Sequence, residues 1–135
     1  MRDLLAACEA AQNVDARKHP TFRVVLLGSG VAGLWALLAS PGADAVVADA
    51  NAVDVSDDQT LLAPDLFSPG LRTIGTFEGA AMLAAPHPLL LHNTSKQFRT
   101  DGIRSGYKTA GGTKHLRIES AGMSDEAVAK WISEL

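Results

Sequence analysis

The residues whose types and spacing could do chemistry begin with three glycines, Gly28, Gly30 and Gly33. They follow an apolar run that is typical of a buried strand and precede one that is typical of a buried helix. A Gly-x-Gly-x-x-Gly turn in this position lets the pyrophosphate of a dinucleotide approach the start of the helix. Asp49 follows about 20 residues later, where an acidic residue would bind a ribose hydroxyl. One interpretation is therefore a nucleotide-binding module that uses these four residues.

The same turn has the outline of a hydrolase nucleophile elbow, Gly-x-Ser-x-Gly, which presents a serine on a strained strand-to-helix turn. When Gly28 is aligned with the first glycine, Gly30 falls at the nucleophile position and Ala32 at the second glycine. Ser29 lies one residue too early, and a shift of one residue turns a side chain in another direction. A purely structural interpretation is also open, because glycines permit a sharp turn between a strand and a helix.

Polar residues at the ends of the predicted strands supply the remaining candidates. Asp49 ends the second strand, and His92 and Asn93 end the third, at the edge where ligands bind in parallel sheets. A structural hydrogen bond is the other interpretation of His92. The four histidines of the chain lack metal-ligand spacing, so we expect no metal and no cofactor. The candidate catalytic residues are Ser29, Asp49 and His92, and the candidate binding residues are Gly28, Gly30 and Asn93.

Strands and helices alternate four times, which predicts a single α/β domain over residues 1–135 with a mainly parallel four-stranded sheet. The crossovers between its strands should be right-handed, and we expect helices on both faces of the sheet. The predicted strands occupy residues 22–27, 45–48, 88–92 and 116–119. The predicted helices occupy residues 2–13, 31–39, 77–85 and 96–110, and a last helix follows the capping residue Ser124. Residues 51–75 are typical of a long loop, which is usually functional or part of an interface.

Several stretches occur in the same order as in α/β-hydrolases of the acetylxylan-esterase-like, dienelactone-hydrolase-like kind. They are residues 28–39, Asp49, and residues 69–71, 79–93 and 124–132. The run Ala-Pro-His-Pro-Leu-Leu-Leu at residues 85–91 is the most specific of them. Over nearly its whole length, the chain therefore resembles the C-terminal half of such a hydrolase.

This resemblance implies that the four strands correspond to the last four of the eight-stranded hydrolase sheet. It places the nucleophile at Gly30 and the catalytic histidine after the last strand, where residues 120–123 contain none. The usual position of the acid falls near Lys96, although Asp49 would serve where the acid follows the preceding strand. His115 precedes the last strand and would lie at the opposite end of the sheet.

We therefore expect a non-catalytic, truncated or degenerate hydrolase-like domain that acts in assembly or in small-ligand binding. The alternative is a carboxylester hydrolase that acts on a carbohydrate acetyl ester or a lactone. A half-sheet would leave the strand from Phe22 to Leu27 at an edge, where unpaired backbone groups invite another chain. We expect either a homodimer through this edge or its coverage by the N-terminal helix and loops.

Composition narrows the class of protein. The 135 residues are 47% hydrophobic and 20% charged, as in an ordinary globular domain. The net charge is -3 and there is no basic run, so we expect no nucleic-acid partner. No apolar run approaches the roughly 20 residues that span a bilayer, so we expect a cytoplasmic protein without a membrane partner. The single cysteine, Cys8, allows no internal disulfide and is expected to be a buried apolar residue.

Overall fold

The computed structural model describes residues 2–15 and 23–135. Its centre is a four-stranded sheet in which neighbouring strands are parallel and follow one another in chain order. The strands are β1 (Val25–Gly28), β2 (Ala45–Asp49), β3 (Leu89–His92) and β4 (Leu116–Ile118). The predicted α/β class is confirmed, and the sheet in the described residues is wholly parallel.

Six α-helices accompany the sheet in the described part of the chain. They are α1 (Arg2–Asp15), α2 (Val31–Leu38), α3 (Asp58–Leu61), α4 (Thr76–Met82), α5 (Asp101–Thr109) and α6 (Asp125–Ser133). Single 3-10 turns lie at Ser40–Gly42 and Thr113–His115.

Three predicted boundaries differ from the structure by three residues or more. The helix predicted over residues 96–110 begins only at Asp101, because Ser95 accepts a hydrogen bond from the Phe98 N–H and closes a turn there (3.1 Å). The helix predicted over residues 77–85 ends at Met82. The first strand begins at Val25 rather than Phe22, and Phe22 lies outside the described residues.

Side chains along the strands alternate between two buried faces. Val46 and Leu89 belong to the large core that the sheet forms with α2, α4 and α5. Val47 and Leu90 point the other way and pack with Val128 of α6. Right-handed crossovers between strands in chain order place the connecting helices on one side of the sheet. Helices therefore lie on both faces, as the sequence predicts, with α6 on the face opposite the connecting helices.

The crossover from β1 to β2 depends on close contact between backbone atoms. A Cβ on Gly28 would collide with the carbonyl group of Ala32, and one on Gly33 would collide with the backbone of Asp49. Glycine at these two positions lets α2 lie directly against the ends of β1 and β2. Both glycines thus have a structural reason to be there, whatever the turn binds.

Residues 51–75, predicted to be a long loop, pack against the core. Leu66 and Leu71 are buried in the same cluster as the sheet residues. The short helix α3 forms inside this segment because the side chain of Asp57 accepts hydrogen bonds from two backbone N–H groups of its first turn. This segment therefore packs against the same core as the connecting helices.

Replacing Gly33 by alanine tests the backbone contact between α2 and β2. Gly33→Ala should lower the free energy of unfolding by about 3 kcal/mol, because the rigid backbone of Asp49 cannot move away from the new methyl group. Gly102→Ala is the matched control within α5. Its Cβ meets only the flexible end of Glu78, so alanine should raise stability by about 0.5–1 kcal/mol through helix propensity. Urea unfolding measures both, and equal effects at the two sites would contradict this account.

Candidate functional site

The turn between β1 and α2 has its apex at Gly30. This residue caps α2 with φ 58° and ψ -135°, a backbone conformation that side-chain-bearing residues rarely adopt. The turn is thus sharp, with the backbone conformation of a nucleophile elbow, and glycine adopts this conformation without the strain that a side chain would cause. A Cβ placed on Gly30 would meet only the Oδ1 atom of Asn51, at 3.9 Å. The apex therefore faces open space and carries no nucleophilic side chain.

The carboxylate of Asp49 joins the three loops that follow β1, β2 and β3. Its Oδ1 accepts hydrogen bonds from the backbone N–H of Asn51 (2.7 Å) and from the side-chain amide of Asn93 (2.8 Å). Its Oδ2 accepts one from the backbone N–H of Gly30 (3.3 Å). One side chain at the end of β2 thus connects the glycine turn with the loop after β3.

These contacts keep Asp49 ionised. Burial alone would raise its pKa, but the hydrogen bonds from Asn51, Asn93 and Gly30 and the nearby His92 hold the pKa of this carboxyl below its usual value. The negative charge also lies at the N-terminal end of α2, where the helix dipole favours an anion. Lowering the pKa of a carboxylate makes it a weaker general base.

His92 and Asn93 lie beside Asp49 because the register of the sheet pairs Asp49 with His92. The His92 side chain is buried, and its Nδ1 atom accepts a hydrogen bond from the backbone N–H of Met123 (3.4 Å). Asn93 adopts a left-handed conformation (φ 57°) and donates its backbone N–H to the carbonyl group of Ala121 (3.0 Å). Both residues therefore also fix the loop that follows β4.

The structure brings together some of the candidate residues and leaves Ser29 apart. Asp49, Gly30 and Asn93 share hydrogen bonds, and His92 is adjacent to them. Ser29 is exposed, and among the described residues no hydrogen bond joins it to Asp49 or to His92. A serine nucleophile needs a base within hydrogen-bond reach. The arrangement holds a turn in place but contains no nucleophile–base pair.

Two further residues belong to this site and were missed by the sequence reasoning. Asn51 adopts a left-handed conformation (φ 52°), supplies a backbone donor to Asp49 and borders the apex at Gly30. Met123 supplies the donor to His92. Asn51 could have been found, because an aspartate often accepts a hydrogen bond from the N–H two residues later. Met123 is brought near His92 by the fold, and no local sequence pattern predicts this contact.

His115, expected at the opposite end of the sheet, lies there. It precedes β4, and its Nδ1 atom donates a hydrogen bond to the carbonyl group of Pro86 (2.9 Å). It is therefore remote from the candidate catalytic residues, which all follow strands.

In residues 2–15 and 23–135, no three His, Cys, Asp or Glu side chains are grouped so that they could hold a metal ion. None of the helices in these ranges is both long enough and apolar enough to cross a bilayer. Comparison of the chain with protein-family models, with curated proteins and with solved structures gave no match. The chemistry of the site thus has to be inferred from its own residues.

Asp49→Asn tests the hydrogen-bonded carboxylate. An amide cannot accept all three hydrogen bonds, so we expect the variant to lose about 2 kcal/mol of unfolding free energy at neutral pH. The folded pKa of Asp49 is lower than its unfolded value, so its stabilisation is present above about pH 4 and disappears as the pH falls through the folded pKa. The difference in unfolding free energy between the wild type and Asp49→Asn should therefore become smaller at acidic pH.

Asp65→Asn is the matched control for this measurement, because Asp65 is exposed and its carboxylate accepts no hydrogen bond within the described residues. It should change stability little at any pH. Denaturant unfolding at a series of pH values gives both curves. The account would be contradicted if the wild type and Asp49→Asn had the same unfolding free energy at neutral pH. It would also be contradicted if their difference in unfolding free energy stayed the same in acid.

Proposed function

We propose that this chain is a non-catalytic, degenerate α/β-hydrolase-like domain whose role is assembly into a homodimer, with small-ligand binding as a second role. The observation that carries the proposal is the backbone of Gly30. The turn has the backbone conformation of a nucleophile elbow, but the residue at its apex has no side chain. The geometry suits a hydrolase scaffold, and the reactive group is absent from the apex.

The ester-hydrolase alternative would require Ser29 to act in place of Gly30. Ser29 lies before the apex and is exposed, with no hydrogen bond to His92 among the described residues. The Nδ1 atom of His92 is already used as an acceptor for Met123, and Asp49 is hydrogen-bonded to the turn itself. These contacts favour a structural role for Asp49 and His92, and they leave Ser29 without a base.

The nucleotide-binding alternative would require a phosphate at the glycine turn. The Gly30 N–H that would contact a phosphate is instead bonded to the carboxylate of Asp49. A phosphate at this position would have to displace an ionised carboxylate or approach it closely, and either change costs energy. Asp49 therefore takes the place of an anion at the start of α2, which disfavours the nucleotide.

The edge of the sheet at β1 supports the assembly role. Among the described residues, β1 pairs on one side only, with β2. Leu27 in this strand is 58% exposed, because α6 packs over Val47 and Leu90 and does not reach it. An exposed apolar edge strand favours pairing with a second chain. Two copies related by a two-fold axis would form a continuous eight-stranded sheet.

The absence of esterase activity is the direct expectation for the purified full chain. With p-nitrophenyl acetate we expect release of p-nitrophenol at the rate of the buffer alone, since among the described residues no base is hydrogen-bonded to Ser29 to activate it. Ser29→Ala should leave that rate unchanged. A rate above buffer that Ser29→Ala abolishes would establish the hydrolase instead. Thermal stabilisation by NAD that is lost in Asp49→Ala would establish the nucleotide-binding module.

Leu27→Lys tests the edge as the dimer contact. A charge on an edge strand opposes strand pairing, so the variant should sediment as a monomer under conditions where the wild type is a dimer. Leu62→Lys is the matched control, because Leu62 is 64% exposed and lies outside the sheet. It should leave the dimer intact.

Sedimentation at micromolar concentration measures whether each protein is a monomer or a dimer, and circular dichroism confirms that both variants fold. A monomeric wild type would contradict the assembly role, as would a Leu27→Lys variant that stays dimeric.

A further inference from the structure

A cavity among the described residues lies at the end of the sheet opposite the glycine turn. It has a volume of about 570 Å³. Residues that precede or begin the strands line it, among them Arg23 before β1, Asp44 before β2 and Pro88 before β3. The C-terminal turn of α6 closes one side. This volume is in the range of small-molecule sites.

Basic side chains dominate the charged lining. Arg23, Lys114 and Arg117 contribute three fixed positive charges, and Asp44 and Glu134 contribute two negative ones. This excess of positive charge stands in a chain whose net charge is -3. The lining of the cavity therefore has one more positive than negative side chain.

The contacts of these groups leave part of the positive charge available. The carboxylate of Asp44 is already bonded to the backbone N–H of Val24 (2.8 Å). Arg117 uses its Nε atom on Glu119 (2.9 Å), which leaves the two Nη groups. Lys114 takes part in no ion pair among the described residues. Lys114 is thus a cation without an ion-pair partner among the described residues, and Arg117, although paired with Glu119, keeps its Nη groups as donors for an anion.

An apolar wall stands beside these cations. Trp131 of α6, Leu116 at the start of β4 and Pro88 line the cavity together with them. Trp131 is only partly buried, so part of its surface remains open to a ligand. Sites for small molecules commonly combine apolar walls with a few charged groups that fix orientation.

We propose that this cavity binds a small organic anion, namely a carboxylate attached to an apolar or aromatic group. The carboxylate contacts Lys114 and Arg117, and the apolar part packs on Trp131. An arginine guanidinium suits a carboxylate because it can donate two parallel hydrogen bonds. Lys114, Arg117 and Trp131 lie outside β1, so this proposal does not depend on the assembly role.

Benzoate is the probe, and the indole N–H signals of the two tryptophans in a proton–nitrogen correlation spectrum are the readout. Trp131 lines the cavity, whereas Trp35 lies elsewhere and donates its indole N–H to the carbonyl group of Asp65 (2.9 Å). Benzoate should shift the Trp131 signal in a saturable way and leave the Trp35 signal in place. Trp35→Phe assigns the two signals.

The role of charge in binding is tested first by changing the ligand and then by changing the protein. Benzamide and benzylamine, which have the same ring without the negative charge, should bind at least about tenfold more weakly than benzoate. Lys114→Gln combined with Arg117→Gln should weaken benzoate binding by about tenfold or more, as for the loss of a charge-assisted hydrogen bond. Lys108→Gln in α5, away from the cavity, is the control and should change nothing.

The proposal is overturned if benzoate leaves the Trp131 signal unmoved, if benzamide or benzylamine binds as well as benzoate, or if Lys108→Gln weakens binding as much as the double variant. The spectrum itself shows whether each variant is folded. None of these outcomes depends on whether the chain forms a dimer.

Discussion

The contact between the first turn of α2 and the end of β2 sets the geometry on which the rest of the structure depends. Gly33 lets the helix backbone touch the backbone of Asp49, and the Asp49 side chain then reaches the N–H of Gly30. The same carboxylate also holds Asn51 and Asn93, so one residue fixes three loops at the carboxyl end of the sheet. Removing either the close backbone contact or the charge would alter the whole edge.

This arrangement separates the scaffold from the chemistry that the scaffold usually supports. A strained strand-to-helix turn with an exposed apex is where a hydrolase presents its nucleophile, and the N-terminus of a helix is where a nucleotide protein binds phosphate. Here the apex is Gly30, and an internal carboxylate bonds to the N–H at the helix start. The functions that we propose therefore lie elsewhere, along β1 and in the cavity at the opposite end of the sheet.

Much of the fold could be predicted because its signals are local. Apolar runs and glycine or proline breaks predicted all four strands to within about three residues, and Asp49, His92 and Asn93 were expected at the edge of the sheet where ligands bind. The predicted start of α5 was wrong because the side chain of Ser95 closes a turn that hydrophobic spacing does not reveal.

The cavity at the end of the sheet opposite the glycine turn could not be predicted from the sequence, for a different reason. Its walls come from residues far apart in the chain, and Arg23 reaches the carbonyl group of Leu135 across 112 positions. No periodicity or spacing encodes such a meeting. The same holds for Met123, which contacts His92 only because the loop after β4 returns to the sheet edge.

The most direct test of the central claim is an NMR titration of the Asp49 carboxyl carbon together with the Gly30 amide proton. The account predicts that Asp49 titrates below its ordinary value of 3.8 and that the Gly30 amide shift follows the same midpoint, because the two groups share a hydrogen bond. A normal or raised midpoint for Asp49, or a Gly30 amide that does not respond to it, would contradict the view that this carboxylate occupies the start of the helix.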